Sequence, residues 1–215
     1  MQSAEDVRAA YDAVAAAYHR LLPDLTSEAP LDRALLVALA EHVGSAGSVL
    51  DAGCGPGRLV ATLAALGLDP TGCDLSPEMV AIARREHPGR RFDAADLSAL
   101  PYADASFVGV VAWYSLIHTP TTDLGAPLGE LCRVLEPGGH LLTGFQAGSG
   151  PRRITNAYGA GPDLTAYLHT PEEVAATLED VGLTVVATVT RRPETERHPQ
   201  GFVLARRPDL TSRAD

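Results

Sequence analysis

The sequence predicts an α/β fold, a mostly parallel sheet covered by helices on both faces, and three observations predict it. Short apolar runs alternate with segments of helical periodicity from Ser48 to the end of the chain. The run Val49-Leu50-Asp51 leads into Gly53, Gly55 and Gly57 on every second position. Glycines so spaced let the chain turn tightly out of a strand and let a ligand lie against the main chain, facing free N–H groups at the start of the next helix. The last two strands, Leu183 to Thr190 and Gly201 to Arg206, follow each other without a helix, which implies an antiparallel hairpin at one edge of the sheet.

Two helices precede the sheet, over about Ala4 to Leu22 and Leu31 to His42. Val7, Tyr11, Val14, Tyr18 and Leu21 fall on one stripe of the first. Tyr11 and Tyr18 therefore either pack on the core or place phenol groups over a ligand as part of a lid. The first strand, Ser48 to Asp51, is followed by a helix from about Pro56 to Leu66, with Gly67 at its C′ position. A second strand near Thr71 to Cys73 ends at Asp74. Ser76-Pro77-Glu78 then supplies an N-cap, a proline at N1 and a first-turn acid for a helix to about Glu86. A short strand at Arg90 to Asp93 precedes Asp96, and Phe107 to Trp113 is apolar enough to be a strand buried on both faces.

Leu124, Leu128, Leu131 and Leu135 carry helical spacing up to Pro137-Gly138-Gly139, after which His140 to Phe145 reads as a strand. Thr170-Pro171-Glu172-Glu173 is a capping box that opens a helix to about Val181, ended by Gly182. The polar, glycine-rich segment 146–168 is long for a simple connection and reads as a substrate-facing loop. One domain over 1–207 is expected, with 1–45 as a helical cap and 208–215 as a flexible tail.

Composition removes several function classes. The chain has 215 residues, 46% hydrophobic content and a mean hydropathy of +0.03, as in ordinary globular proteins. Its apolar runs are too short to span a membrane, and Met1-Gln2-Ser3-Ala4-Glu5-Asp6 is not a signal-peptide start, so a cytoplasmic protein without membrane contact is expected. Asp and Glu outnumber Lys and Arg 27 to 17, and the arginines are scattered in pairs, which argues against nucleic acid as a partner. No lysine occurs, so a Walker lysine and a Schiff-base lysine are both excluded. Cys54, Cys73 and Cys132 have no CxxC spacing and read as small buried hydrophobes.

The acid in the glycine turn is the most informative single residue. A carboxylate at a strand end would repel a pyrophosphate, so Asp51 argues for a ligand with a cationic end. S-adenosylmethionine (SAM), with its ammonium and sulfonium centres, fits. Four segments together resemble the class I SAM-dependent methyltransferases: VLDAGCGPG at 49–57, GCDLSPEMV at 72–80, AADLSALPYADASF at 94–107 and LCRVLEPGGHLL at 131–142. YDAVAAAYHRL near the start is similar to the first helix of that family's small-molecule branch, which includes ubiquinone and menaquinone biosynthesis.

The resemblance implies a Rossmann-like fold with a seven-stranded, mostly parallel sheet, an antiparallel C-terminal edge hairpin and an N-terminal helical lid. It implies SAM as cofactor, S-adenosylhomocysteine (SAH) as product, and no metal. Gly53, Cys54, Gly55 and Gly57 would pass near the methionine part of SAM, with Asp51 near its ammonium group or ordering the loop. Asp74 would accept the ribose hydroxyls and Asp96 the adenine amino group. Leu75, Met79 and Leu97 would form apolar walls, with Tyr18 and Trp113 also against the cofactor. Many relatives have Asp where this chain has Val108.

Methyl transfer is an in-line displacement in which positioning does most of the work and a base helps a hydroxyl more than a neutral amine. His118 leaves the fourth strand at its carboxyl end, the ligand edge of an open parallel sheet, and is the first candidate base. His169, just before the capping box, is the second; His140 and His198 read as surface or packing residues. Tyr11, Tyr114, Arg152 and Arg153 are candidates for binding the acceptor, the arginines by steering an anion. Trp113 and Tyr114 are adjacent on a strand, so they should face opposite ways.

No Asp-Asp or Asp-Asn pair follows the fourth strand, and Trp113-Tyr114-Ser115-Leu116 stands where an Asn-Pro-Pro-Tyr signature would be. The expected activity is therefore metal-free transfer to the oxygen or nitrogen of a small molecule, in the setting of secondary metabolism. A SAM- or SAH-binding protein that regulates a partner without transferring methyl is the alternative. A nicotinamide oxidoreductase fits poorly, because GxGxG replaces GxGxxG and Asp51 is present.

Overall fold

The glycine turn stands at the middle of the sheet, and the strand order explains why. In the computed structural model, residues 2–44, 47–156, 158, 162–193 and 196–209 are described. Two helices, α1 (Ala4–Leu21) and α2 (Pro30–Val43), lead into β1 (Ser48–Ala52), α3 (Val60–Ala65), β2 (Asp69–Asp74), α4 (Pro77–Glu86), β3 (Phe92–Ala94) and β4 (Phe107–Trp113). A 3₁₀ turn (Thr121–Asp123), α5 (Gly125–Val134), β5 (Leu135–Gln146), β6 (Gly150–Ile154) and β7 (Leu164–Leu168) follow. The chain closes with α6 (Pro171–Asp180), β8 (Thr184–Arg191) and β9 (Gln200–Arg206).

The main sheet has seven strands in the order β3-β2-β1-β4-β5-β9-β8. The first five are parallel, and β9 and β8 join antiparallel at the edge. The order reverses between β1 and β4, which opens a crevice beyond their carboxyl ends, where ligands of such sheets bind.

Strand alternation sorts the core into two layers. Leu50, Val110, Leu141 and Val203 face α5 and α6 through Leu128, Leu131 and Leu178. Their neighbours Val49, Val111, Leu142 and Phe202 face α2 and α3 through Leu36, Leu39 and Leu63. Helices thus cover both faces, as the sequence predicts. α4 starts where expected, with Ser76 Oγ accepting from the Met79 N–H at 3.2 Å. The Thr170–Glu173 capping box forms at α6. A second box, Ser3 with Asp6 on α1, was not foreseen.

Four boundaries differ from expectation. α3 begins at Val60 and not Pro56, because Gly55 and Gly57 take φ of 54° and 84°, values a right-handed helix excludes. β3 starts two residues later than expected and ends one later, over Phe92–Ala94. Pro137-Gly138-Gly139 does not precede β5 but lies within it: Leu135 pairs with Phe107, and the register then jumps to His140 with Gly109. The segment 146–168 is not a plain loop, since β6 and β7 pair in it as an antiparallel hairpin. The expected tail lies mostly outside the described residues, of which Asp209 ion-pairs with Arg206 at 2.7 Å.

Candidate active site

The crevice at the switch point is a cavity of about 410 Å³, roofed by α1 and by Tyr158 from the segment between β6 and β7. Its floor is the glycine turn. Gly53 and Cys54 donate their N–H groups to the Cys73 carbonyl at 2.8 and 2.9 Å, which ties the turn to β2. Gly53 has φ 81°, and a Cβ there would meet Ser115 Cβ at 2.1 Å, so only glycine fits.

The carboxylates are held in three different ways. Asp74, at the end of β2, accepts from the Gly55 N–H at 2.8 Å and the Ser76 N–H at 2.9 Å while facing the cavity. Burial raises its pKa, and those two hydrogen bonds oppose the rise. Asp96 also lines the cavity and accepts from the Ser98 N–H at 2.8 Å. Asp51 lies beneath the turn, fully buried, with neither oxygen hydrogen-bonded. Burial pushes its pKa up to about 7, with Arg58 opposing and Asp74 adding. A buried carboxyl with both oxygens unpaired calls for a proton or a cationic group.

Leu75, Met79 and Leu97 supply the apolar wall beside Asp74 and Asp96. Trp113, whose buried Nε1 has no partner, closes the opposite side. Tyr114 lines the cavity as well, contrary to the alternation expected of strand neighbours. The reason is its φ of 56°, which breaks the strand pattern one residue past β4; its hydroxyl donates to Gln200 Oε1 at 2.6 Å.

His118 is positioned at both ring nitrogens. Nδ1 is 2.7 Å from the Thr165 carbonyl, which can only accept, so Nδ1 carries the proton. Nε2, 2.8 Å from the Tyr11 hydroxyl, is therefore the basic nitrogen and accepts from it. Burial lowers the His118 pKa; the Thr165 contact opposes this and the charge of Arg152 adds to it. Tyr11 belongs to an aromatic cluster with Tyr18 and Tyr158, whose ring centroids lie 6.5 and 6.3 Å from its own. α1 is latched over the site by Asp12, which accepts from Ser76 Oγ at 2.5 Å, next to the ring of contacts around Asp74.

Other expected site residues lie elsewhere. His169 is fully buried outside the cavity lining: Nδ1 contacts Thr121 Oγ1 at 3.0 Å, and the ring packs edge-on against Phe145 at 5.9 Å. It joins the end of β5 to the 3₁₀ turn. Cys54 packs among Val60, Val80 and Phe92, and burial holds its thiol pKa well above the usual range. Gly57 does not line the cavity; a Cβ there would meet the His87 ring at 2.8 Å. Arg153 is exposed and ion-pairs with Asp163 at 2.6 Å, whereas Arg152 is half-buried.

Sequence reasoning missed Tyr158, Ser115 and Asp12. Tyr158 lies in a segment with no periodicity, and Ser115 gave no sign of the glycine it faces. Asp12 sits off the apolar stripe that identified α1. Among the described residues no group of three metal-ligating side chains occurs, and no helix is long and apolar enough to cross a membrane.

Fold and cavity together define a Rossmann-like class I methyltransferase architecture. Residues 49–139 match the family described as methyltransferase domain. Among curated proteins, it is 39% identical over 142 residues to malonyl-[acyl-carrier protein] O-methyltransferase of Pseudescherichia vulneris, covering 65% of this chain and 56% of that one. It is 38% identical over 144 residues to demethylmenaquinone methyltransferase of Beutenbergia cavernae, covering 64% and 56%. The chain thus spans little more than half the length of these relatives. Among solved structures, 1,6-didemethyltoxoflavin-N1-methyltransferase of Burkholderia thailandensis superposes with a TM-score of 0.72 at 24% identity, over 97% of this chain and 92% of that one. SAM is the cofactor of this family. The residues fit it: two carboxylates, Asp74 and Asp96, that line the cavity, a side-chain-free turn, and a buried acid with neither oxygen hydrogen-bonded.

Proposed function

We propose that this protein transfers a methyl group from SAM to an oxygen or nitrogen of a small-molecule acceptor, and that oxygen is the atom its residues serve best. Secondary metabolism is the setting this reading carries. The observation that supports oxygen is the Thr165–His118–Tyr11 chain, which presents a basic imidazole nitrogen to a phenol at the cavity wall. A hydroxyl nucleophile gains from such a base, while a neutral amine does not need one. Of the two curated relatives above, one is named as an O-methyltransferase.

When bound, SAM supplies an electrophilic methyl carbon on a sulfonium. Asp74 would hold the ribose hydroxyls, Asp96 the adenine amino group, and Gly53 and Gly55 would let the methionine end lie on the backbone. Tyr11 oxygen would take the acceptor proton as its own proton passes to His118 Nε2. The charge then rests on an imidazolium whose Nδ1–H is already bonded to Thr165. Tyr11, Tyr18 and Tyr158 would keep water from the reacting atoms, and Arg58, ion-paired with Glu28, lies close enough to Tyr18 for its charge to act on the phenol.

Calorimetric titration with SAH, on the wild type and on Asp74→Ala, tests the pocket. Loss of two charge-assisted contacts should weaken binding by about 1.5–3 kcal/mol. Transfer of labelled methyl to a panel of hydroxyl and amine acceptors tests the reaction. Binding without turnover on any acceptor, together with stoichiometric capture of a protein partner, would favour the regulatory alternative.

A further inference from the structure

The two adjacent arginines of β6 have opposite environments. β6 and β7 pair with Arg152 opposite Ala166, Ile154 opposite Leu164 and Arg153 opposite Thr165. Ala166 and Leu164 are buried at 0% and 1% exposure, so alternation puts Arg152 on the inward face of the hairpin and Arg153 on the outward face. Arg153 has its acid, Asp163. Arg152 has none: its Nε is buried without a partner, and among the described residues its guanidinium makes no hydrogen bond or ion pair. A half-buried arginine left this way is costly, since removal from water is uncompensated.

Arg152 is not itself among the residues that line the cavity, but it is close to three that are. Its charge acts on Tyr158, Tyr11 and His118, all of which line the cavity. Ile154 and Leu164, on the same hairpin face, pack with Tyr11 and Tyr158. The carboxylates that line the cavity, Asp74, Asp96 and Asp123, make no ion pair with it. We propose that Arg152 recognises the acceptor, and that the acceptor is a small molecule bearing a carboxylate or comparable oxyanion next to the hydroxyl presented to Tyr11 and His118. This rests on the methyltransferase reading and names its substrate class. A planar guanidinium with its Nη atoms free suits bidentate capture of an oxyanion.

The test uses three matched probes on the SAH-saturated protein, followed by ligand-observed NMR: 3-hydroxybenzoate, 3-hydroxybenzamide and 3-hydroxyphenyl phosphate. One of the two anions should bind at least about tenfold more tightly than the amide, the scale of a charge-assisted pair. Preference for the benzoate assigns a carboxylate, and preference for the phosphate a phosphoryl group. Arg152→Gln should remove the preference, Arg152→Lys should keep part of it, and Arg153→Gln should leave it intact. Arg152→Met should fold with a Tm no lower than wild type, because it removes an unpaired charge. Equal or absent binding of the three probes to wild type, a preference that survives Arg152→Gln, or unfolding of the Arg152 variants would each overturn the proposal. SAH binding is read separately by calorimetry, and the probes are repeated without SAH. Loss of SAH binding therefore counts against the methyltransferase reading, and loss of the anion preference against Arg152.

Discussion

Asp51 illustrates how a residue can be legible by type and not by environment. Its place before the glycines pointed to a cationic ligand end, but only the structure shows both oxygens unpaired and a pKa near 7. Below that pH the free protein holds a proton on Asp51, and an ammonium group nearby would expel it. SAH binding at pH 6 should therefore release up to about one proton, and at pH 8 almost none, in titrations across buffers of different ionisation enthalpy. Asp51→Asn should abolish the release; an unchanged proton count would mean that Asp51 only orders the turn. The position of Asp74 was legible because it ends a strand at the ligand edge of the sheet, and the structure places it in the cavity lining. The Tyr11–His118 contact was not, since 107 residues separate its members. For that pair, Tyr11→Phe and His118→Gln should each lower turnover by about 10²–10⁴-fold on a hydroxyl acceptor, with SAH affinity unchanged. Because burial lowers the His118 pKa, wild-type activity should persist to pH values below the ordinary imidazole range before it falls.

Elements were read well where local signals agree with tertiary structure. Ser76-Pro77 and Thr170-Pro171 start α4 and α6 because capping needs only neighbours in sequence. β5 and the β6–β7 hairpin were misjudged for the opposite reason. Their strand character comes from partners: β4 and β9 on either side of β5, and each other within the hairpin. Long-range ties of this kind also hold α2 to the sheet edge. Arg191, at the end of β8, meets Asp32 of α2 through Nε at 2.7 Å and Nη2 at 2.8 Å, with side-chain exposures of 6% and 1%. Its hydrogen bonds to Asp32 and Glu196 raise the arginine's pKa still further. Neither residue marked itself as paired across 159 positions of chain. Asp32→Ala leaves a buried guanidinium with one acid fewer and should cost about 3–5 kcal/mol in denaturant unfolding. In a chain of this size that corresponds to roughly 6–20 °C in Tm. A loss within about 0.5 kcal/mol would show the tie to be no stronger than a surface pair.

The whole molecule carries ionisable groups whose burial works in opposite directions with pH. His140, read from sequence as surface or packing, is buried at 7% exposure and stacks on His42 with centroids 4.6 Å apart. Burial first, then His42 and Arg206, lowers its pKa, and burial also lowers those of His118 and His169. A histidine whose folded pKa lies below its unfolded value contributes stability above about pH 6.5, and that stability is lost as pH falls and the unfolded chain takes up protons. Asp51 has the opposite sign: its folded pKa is raised to about 7, so its burial is tolerated at acid pH and becomes unfavourable as pH rises toward 7. In the ligand-free protein the two trends meet between pH 4 and 7, and single variants can separate them. His140→Gln should flatten the fall in stability between pH 7 and pH 5, measured as denaturant unfolding free energy. Asp51→Asn should remove the penalty above pH 6 and leave the acid limb in place. SAH should act as Asp51→Asn does, by supplying a cation to the carboxylate, so a ligand-induced gain in stability that does not grow from pH 5 to pH 8 would separate Asp51 from the cofactor site.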